Sequence, residues 1–320
     1  MEAPRFDAAA VGELLVDLTQ QGVDADGFPL FKANPGGAPA NAMAAVARCG
    51  LSACLIAKVG DDAMGRLLED ALARAGVYTG GLVRGGDAST TLALVTLDAA
   101  GERTFGFLRK PGADARLRPD ELDTRLIDGA RLLHFGSVSL TEEPARSATR
   151  AAVACAKRAG RLISFDPNLR MPLWRSPEQA RRALRWGLAQ ADIVKLSAEE
   201  AAFLFGPCPP EEAAARILTG FGAQLVAVTL GADGCLVQTA AAQVRAAAPA
   251  VRPVDTTGAG DIFTGSLLSC LLRADAAPAA LGEAALCQMA RYACAAASLS
   301  TERPGGLASI PAPSAVLARL

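Results

Sequence analysis

The chain has one histidine, few aromatic residues and almost no net charge. Aromatic residues make up 5% of its 320 residues, and 32 basic residues are balanced by 33 acidic ones. Nucleic-acid binders usually present a basic surface, so this balance argues against a nucleic-acid partner. The lone His134 ends an apolar run and has no nucleophile elbow near it, so it is predicted to be a packed residue and not a triad member.

The cysteines show no metal-binding or redox spacing. No Cys-x-x-Cys occurs, and the lone histidine has no companion ligand, which argues against a zinc site or a disulfide framework. Free thiols that are mostly buried, as small hydrophobic residues are, are predicted at all eight positions: Cys49, Cys54, Cys155, Cys208, Cys235, Cys270, Cys287 and Cys294.

Signals for export, for membrane insertion and for two common nucleotide folds are also missing. The N-terminus lacks a charged-then-apolar leader, and no apolar run is long enough to span a bilayer, so we expect a cytoplasmic protein without a membrane partner. No Gly-x-x-x-x-Gly-Lys-Ser/Thr occurs, which excludes a Walker-type phosphate loop. No Gly-x-Gly-x-x-Gly follows the first predicted strand, which argues against a dinucleotide-dependent dehydrogenase.

The sequence is instead rich in apolar residues and glycine. Hydrophobic residues make up 51% of the chain and glycines number 31, which is ample for a large buried core. From residue 119 onward, strand-like apolar runs alternate with helical segments, a pattern typical of a mostly parallel sheet with helices on both faces. We therefore expect a single α/β domain over residues 1–320.

A predicted hairpin interrupts this alternation. Residues 90–97 and 103–109 resemble strands joined by a glycine-containing turn. An antiparallel pair of strands outside the parallel sheet is expected to cover another part of the molecule. Together with a polar segment near the N-terminus, it is predicted to form a small β lid from about residues 17–34 and 88–110.

Three side chains of the hairpin are candidates for contact with a substrate. Arg103, Phe105 and Arg109 have the same parity along the second strand, so they share one side of it. A solvated hairpin face would also carry charges, and that alternative stays open.

One stretch organises the rest of the chain, the sequence DTTGAGD at residues 255–261. Gly258, Ala259 and Gly260 precede a predicted helix, whose first N–H groups lack intrahelical partners and carry the positive end of the helix dipole. Such a helix start suits a phosphate. These amides are predicted to stabilise a developing anion while Asp261 takes a proton from an attacking hydroxyl. Read alone, the motif describes a helix cap equally well.

A second glycine-rich stretch lies near the N-terminus. Gly36 and Gly37 allow the backbone to approach a ligand, and Asn41 then offers amide donors and acceptors from the first turns of a helix, a mixture that polyols need. Asp17 is expected at the carboxyl end of a first strand over residues 6–16, where ligands of open parallel sheets bind. Its carboxylate is predicted to accept hydrogen bonds from hydroxyls, and a turn residue is the alternative.

These motifs together resemble one known family. DTTGAGD and the helix after it resemble the C-terminal signature of the ribokinase-like (PfkB) family of carbohydrate kinases, and NPGGAPAN followed by LIAKVGDDAMG resembles its N-terminal signature. The resemblance covers nearly the whole chain and implies a three-layer α/β sandwich with a lid over the sugar. It also implies that Asp261 is the catalytic base and that Asp17 holds sugar hydroxyls.

Polar residues that follow a predicted strand at 161–165 extend the resemblance. The sequence DPNLR puts an acid, an amide and Arg170 at one strand end, where Arg170 is predicted to pair with phosphate or sugar oxygens. Within the family, DPNLR resembles fructokinases in particular.

The nucleotide residues are implied by the resemblance. The family usually carries Asn-x-x-Glu, in which the Glu organises magnesium and water; here Ser197 replaces the Asn and Glu200 is the Glu. Magnesium is expected in any case, because nucleotide phosphates need a hard cation. A T-x-G-x-x-G element, which a plain hairpin would also explain, completes the predicted nucleotide site: Lys195, Thr229, Gly231, Gly234, Gly258 and Gly260.

The resemblance therefore implies an ATP-dependent sugar kinase that uses Mg²⁺ and converts D-fructose to fructose 6-phosphate. Asp255 and Thr257 are expected to hold a monovalent cation such as K⁺, and a homodimer through the lid is expected. Two alternatives stay open. The substrate could be an aminoimidazole riboside, a nucleoside or 2-keto-3-deoxygluconate, or the protein could be a catalytically silent sugar sensor.

Overall fold

The structure is a computed structural model that describes residues 6–97, 103–109 and 112–320. Its strands within these ranges are β1 (Phe6–Val11), β2 (Leu15–Val23), β3 (Pro29–Gly36), β4 (Ala53–Gly60), β5 (Val77–Tyr78), β6 (Leu82–Gly85), β7 (Leu92–Leu97), β8 (Arg103–Leu108), β9 (Ala130–Gly136), β10 (Leu162–Asp166), β11 (Ile193–Ser197), β12 (Leu225–Thr229), β13 (Cys235–Thr239) and β14 (Gln243–Ala246). Its helices are α1 (Ala38–Arg48), α2 (Ala63–Arg74), α3 (Thr124–Asp128), α4 (Ala145–Arg158), α5 (Pro177–Leu188), α6 (Ala198–Phe205), α7 (Pro210–Phe221), α8 (Ala259–Ala274), α9 (Glu283–Ser300), α10 (Gly306–Ser309) and α11 (Pro313–Leu317).

A ten-stranded sheet forms the middle layer. Its order is β14-β13-β12-β11-β10-β9-β1-β4-β5, and β6 also pairs with β4. The pairs from β12 across to β4 are parallel, whereas β13 and β14 add an antiparallel edge. Every residue of β4 is buried, as expected of a parallel strand covered on both faces. The predicted mostly parallel central sheet is confirmed.

Helices cover this sheet on both faces. Because side chains alternate along a strand, Ala9 and Val11 of β1 belong to one buried cluster and Ala8 and Ala10 to another. Residues of α4 to α7 complete the first cluster, and residues of α1, α2, α8 and α9 complete the second. The two helices that start with the glycine-rich motifs, α1 and α8, therefore pack on the same face.

A separate four-stranded sheet, called the small sheet below, has the order β3-β2-β7-β8. Strand β2 runs antiparallel to β3 and parallel to β7, and β7 and β8 form an antiparallel pair. The turn predicted between β7 and β8 lies outside the described residues. The observed strands span 15–36 and 92–108, close to the segments expected for the lid.

The first strand is shorter than expected, and this corrects the position of Asp17. A continuous strand over residues 6–16 is wrong, because β1 ends at Val11 and the chain enters the small sheet at Leu15. The break follows Gly12, where an added Cβ would lie 2.6 Å from Cγ of Pro39. Asp17 is therefore the third residue of β2 and not the end of a central strand.

The lone histidine is a packed residue, as predicted. His134 lies in β9 with Nδ1 3.0 Å from Oγ of Ser164, and burial lowers its pKa to about 4, so its ring is neutral. All eight cysteines are free thiols, four of them buried. In the described part of the chain, no helix combines the length and the apolar character needed to cross a membrane.

Candidate active site

The DTTGAGD motif forms the start of helix α8. Gly258 has a left-handed backbone with φ of 79° and directly precedes the helix, a conformation that glycine adopts without steric cost. A Cβ at this position would also lie 3.1 Å from Cα of Gly306 and 3.2 Å from Nδ2 of Asn41. The glycine thus lets three segments that are distant in sequence meet at the helix start. Of the amides predicted to bind an anion, that of Ala259 donates to the carbonyl of Thr256 at 3.2 Å.

The side chain of Asp261 is held by Asn41. The Nδ2 amide of Asn41, on α1, donates to Oδ2 of Asp261 at 2.8 Å. Burial raises the pKa of Asp261 to about 7, and the charge of Asp166 acts in the same direction, whereas the amide of Asn41 and the charges of Lys195 and Arg170 oppose this rise. A carboxylate with a pKa near neutrality is suited to accept a proton at physiological pH.

Asn41 itself is fixed by close packing. It is almost fully buried, and a Cβ on Gly306 would lie 2.6 Å from its Oδ1. That oxygen has no hydrogen-bond partner among the described residues. The predicted substrate-binding amide therefore points its donor to Asp261 and leaves one acceptor free.

A buried ion pair lies beneath the first turn of α8. Nζ of Lys195, in the middle of β11, is 3.1 Å from Oδ2 of Asp166, and Oγ1 of Thr264 donates to the same oxygen at 2.8 Å. A Cβ on Gly260 would lie 3.0 Å from this Nζ. The ammonium group is therefore in contact with the backbone that was predicted to stabilise an anion.

Lys195 remains positively charged at this position. Burial alone would lower its pKa, but the carboxylates of Asp166, Glu200 and Asp261 outweigh that effect and raise it. Asp166 was not predicted as a site residue, although it begins the DPNLR sequence at a strand end. Among the three carboxylates, Asp166 is the one that pairs directly with the buried ammonium group.

Glu200 is anchored through both of its oxygens. Oε2 accepts from the backbone N–H of Ser197 at 2.8 Å, and the hydroxyl of Ser197 accepts from the N–H of Glu200 at 3.2 Å, which forms a capping box at the start of α6. Oε1 accepts from the N–H of Leu169 at 2.7 Å. Burial raises the pKa of Glu200. The serine in place of the family's asparagine thus acts here as a helix cap.

Asp17 and Arg170 are brought to the same region. A Cβ on Gly36 would lie 2.5 Å from Oδ2 of Asp17, so the glycine makes room for the carboxylate on the neighbouring strand. Burial raises the pKa of Asp17 to about 6, and the charge of Arg170 opposes this rise. Arg170 is exposed and acts electrostatically on both Asp17 and Asp261.

Glu13 is a second residue that the sequence reasoning missed, besides Asp166. Its side chain is buried, and Oε1 accepts from the N–H of Ala38 at 2.9 Å, while Oε2 has no partner among the described residues. Burial raises the pKa of Glu13 to about 7. Gly37, with φ of 118°, passes so close that a Cβ would lie 2.5 Å from the carbonyl oxygen of Glu13. The available signal was an acid that interrupts the apolar residues 8–16.

Of the three hairpin candidates, Arg109 is the one whose side chain the structure describes. The side chains of Arg103 and Phe105 lie outside the described part of the structure. Strand β8 ends at Leu108, and the following Arg109 is buried in an ion pair with Asp114, with Nη2 2.7 Å from Oδ2. Its Nη1 also donates to Oγ1 of Thr141 at 3.0 Å.

The predicted nucleotide element forms the turn between β12 and β13. Thr229 ends β12, and its hydroxyl is 3.4 Å from the carbonyl of Leu196. Gly231 and Gly234 both have positive φ, and a Cβ on Gly234 would lie 2.0 Å from the carbonyl oxygen of Ala246. Gly234 therefore has a packing role at this hairpin, whatever else it contacts.

The predicted cation residues lie next to the C-terminal loop. Oδ1 of Asp255 accepts from the N–H of Thr257 at 3.0 Å, and Oδ2 accepts from the N–H of Gly305 at 3.0 Å. The backbone N–H of Asp255 donates to the carbonyl of Thr301. Asp255 thus ties the loop before α8 to the segment that reaches Gly306 and Asn41.

A comparison with models of known protein families identifies the family of this chain. The profile described as "pfkB family carbohydrate kinase" matches residues 6–313. The chain belongs to the pfkB family. This confirms the resemblance that the two glycine-rich signatures indicated.

Individual relatives are similar to this pfkB chain over nearly its full length. Fructokinase-1 of Zea mays is 42% identical over 322 residues, which cover 99% of this chain and 98% of the relative. The solved structure of a fructokinase with bound ATP from Xylella fastidiosa is 33% identical, with a TM-score of 0.89 and coverage of 98% of this chain and 97% of that one. A fructokinase double mutant from Vibrio cholerae O395, with fructose, ADP and potassium ion bound, is 34% identical, with a TM-score of 0.87 and 99% coverage of both chains.

The predicted fold class is confirmed by these likenesses. The chain has the ribokinase-like α/β architecture, with a mostly parallel central sheet between helices and a separate small sheet.

Proposed function

We propose that this pfkB-family protein is an ATP-dependent fructokinase, which transfers the γ-phosphoryl group of ATP to the primary 6-hydroxyl of D-fructose. The observation that carries the proposal is the Asp261 carboxylate at the start of α8, with its pKa raised to about 7 and one oxygen held by Asn41. The fructokinase relatives from Zea mays and Xylella fastidiosa support fructose as the sugar.

In the proposed step, Asp261 accepts the proton of the fructose hydroxyl. The hydroxyl oxygen forms a bond to the γ-phosphorus while the bond from that phosphorus to the bridging oxygen of ADP breaks. ADP leaves with the electron pair, and the proton on Asp261 later passes to solvent. The amides of Gly258 and Gly260 and the ammonium of Lys195 stabilise the charge that develops on the transferred group. The amide of Ala259 would join them by exchanging its bond to Thr256 for one to the phosphoryl oxygens. A positioned base of this kind contributes about 10²–10⁴-fold to the rate.

The sugar is proposed to lie between the start of α1 and the small sheet. Asp17 would accept hydrogen bonds from fructose hydroxyls, and the amide of Asn41 would contact the sugar beside Asp261. Gly36 and Gly37 would shape the sugar site by leaving room for the Asp17 carboxylate and the Glu13 backbone. Arg170 would pair with oxygens of the phosphate or the sugar. The small sheet then acts as a lid that excludes water from the reacting groups.

ATP is proposed to bind along the carboxyl ends of β11 and β12. Thr229, Gly231 and Gly234 would contact the nucleotide. Among the described residues there is no cluster of three or more His, Cys, Asp or Glu side chains that could hold a metal ion without help. This fits Mg²⁺, which keeps several waters and binds mainly to nucleotide phosphates. Glu200 would hold it through water, and the bound ion would neutralise phosphate charge.

A monovalent cation and a homodimer complete the proposal. Asp255 and Thr257 would hold K⁺ with nearby carbonyl groups, and the potassium bound in the Vibrio cholerae structure supports this. Apolar side chains are exposed on the small sheet and its turns, among them Phe28 at 68% and Leu108 at 61%. An exposed apolar surface of this kind fits a partner copy. We also propose a cytoplasmic location, where ATP is the available phosphoryl donor.

A sugar panel with an ADP-release assay tests the proposed function. With saturating Mg-ATP, fructose is expected to give the highest kcat/KM, above glucose, an aminoimidazole riboside, adenosine and 2-keto-3-deoxygluconate. Faster ADP release with another acceptor would replace fructose as the substrate. Sugar binding without ADP release from any acceptor would instead indicate a silent sensor.

A further inference from the structure

A cavity that shares no lining residue with the candidate active site lies between α4 and α5. Its volume is about 500 Å³, within the range of roughly 300–1,000 Å³ typical of small-molecule sites. It lies on the face of the central sheet opposite α1 and α8. The residues that line it are Leu140, Arg146, Arg150, Trp174, Arg175, Ser176, Gln179, Arg182, Ala183 and Trp186.

The lining of this cavity is strongly and one-sidedly charged. It contains four arginines and no aspartate or glutamate. Arg146 is partly neutralised, with Nη1 3.5 Å from Oε1 of Glu143 and Nε donating to the carbonyl of Leu140 at 2.8 Å. Within the described ranges, the other three arginines form no ion pair: Arg150, Arg175 and Arg182. Glu178, outside the lining, acts electrostatically on Arg182, but the arginines of the lining still outnumber the acids beside them. This excess of positive charge favours an anionic ligand.

An unpartnered donor lies in the wall of the same cavity. Trp174 is only 8% exposed, and its indole Nε1–H has no hydrogen-bond partner in the part of the chain that the structure describes. A buried indole N–H normally finds an acceptor. The second aromatic wall, Trp186, is covered by the guanidinium of Arg150 at 5.1 Å from the ring centroid. The cavity thus offers cations beside a buried, unpartnered donor, and its lining side chains offer few acceptors.

We propose that this cavity is a second ligand site, which binds a small anion carrying two or more phosphate groups. Guanidinium groups form paired hydrogen bonds with phosphate oxygens, which matches the planar donors of several arginines to one polyanion. The cavity volume admits an inorganic polyphosphate or a sugar bisphosphate. Both share the chemistry that the lining recognises.

The two tryptophans in the wall of the cavity make ligand binding directly observable. The chain contains two tryptophans, Trp174 and Trp186, and both line the cavity. Intrinsic tryptophan fluorescence therefore comes from this cavity alone, without a contribution from tryptophans elsewhere in the chain. We would titrate the full chain with inorganic phosphate, pyrophosphate and a hexose bisphosphate at constant ionic strength. A saturable fluorescence change is expected, with pyrophosphate or the bisphosphate binding more tightly than phosphate, and the tighter of the two identifies the source of the phosphate groups.

A pair of variants on one helix locates the binding. Arg182→Gln removes a lining charge of α5, and it is expected to weaken pyrophosphate binding by about tenfold or more, the usual effect of losing one hydrogen bond to a charged group. Arg185→Gln removes the same charge from α5 at a position that is exposed, as Arg182 is, but lies outside the lining. This control is expected to bind as the unchanged chain does. Calorimetric titration gives the affinities, and equal melting temperatures show that both variants are folded.

Two results would overturn the proposal. The first is the absence of any saturable fluorescence or heat change with all three anions at millimolar concentration. The second is an equal loss of affinity in Arg182→Gln and Arg185→Gln, which would indicate diffuse attraction to a basic surface. Neither result depends on the sugar panel, so the second site and the proposed fructokinase activity succeed or fail independently.

Discussion

The hydrogen bond from Asn41 to Asp261 gives a pH dependence that can be worked out in advance. The 2.8 Å bond favours the charged form of a carboxyl whose pKa burial has raised to about 7. A hydrogen bond to a charged group is worth about 1.5–3 kcal/mol, and one pKa unit corresponds to about 1.4 kcal/mol. Asn41→Ala should therefore raise the pKa of Asp261 by about one to two units, to about 8–9.

The assay is kcat/KM for fructose across pH, which reports the pKa of the base in the free enzyme. The proposed base works only when deprotonated, so activity should rise with pH and level off above the pKa. In Asn41→Ala the midpoint should move upward by one to two units. At about pH 7 this shift lowers the deprotonated fraction of Asp261 by about 5- to 50-fold. Much of the activity lost in this way should be recovered at alkaline pH.

Asn34→Ala is the matched control. Asn34 is also a buried amide, but its Nδ2 donates to Oγ1 of Thr19 at 3.1 Å in the small sheet and not to Asp261. The control should keep the midpoint near pH 7. A midpoint that stays near pH 7 in Asn41→Ala, with activity reduced equally at every pH, would refute the reasoning and leave Asn41 as a substrate contact alone.

Three further substitutions follow from the site. Asp261→Asn should keep the fold and fructose binding but lower kcat by about 10²–10⁴, measured by ADP release. Asp17→Ala should weaken fructose affinity far more than ATP affinity, measured by calorimetry. Glu13→Gln should stabilise the fold above pH 7, because the pKa of Glu13 rises from 4.5 to about 7 on folding. The folded state then binds the proton more tightly, so stability falls as pH rises between these values, by up to about 3 kcal/mol. Urea unfolding at about pH 5 and pH 8 measures this.

Each of these expectations has a result that contradicts it. Near-normal turnover in Asp261→Asn would remove it as the base. Equal losses of fructose and ATP affinity in Asp17→Ala would place its carboxylate outside the sugar site. A stability gain in Glu13→Gln that is the same at both pH values would show that the titration of Glu13 is not its cause.

The sequence predicted the motifs that are local in the chain. A left-handed glycine before a helix needs only neighbouring residues to specify it, so the position of Gly258 and Asp261 at the start of α8 followed from DTTGAGD. The mostly parallel sheet followed from the regular alternation after residue 119. The capping role of Ser197 was also readable in principle, because Ser-x-x-Glu at a helix start is a capping box.

What the sequence did not predict depends on contacts between distant segments. The apolar run from Phe6 to Val16 looked like one strand, and the break after Gly12 becomes visible only when Pro39 packs against it. Parity suggested that Arg109 belongs to the face of the hairpin, but its partner Asp114 lies beyond the end of the strand. Glu13 was overlooked for the same reason, since its burial results from the approach of α1.

The bond between Asn41 and Asp261 also has a consequence for how the protein is made. The two residues are 220 positions apart, and Gly306, near the end of the chain, packs against the amide that joins them. Contacts of such long sequence separation form late, because the intervening chain must be ordered first. A chain that has not yet emerged from the ribosome as far as Gly306 therefore lacks the packing that aligns the proposed base, and we expect turnover only after that residue has emerged.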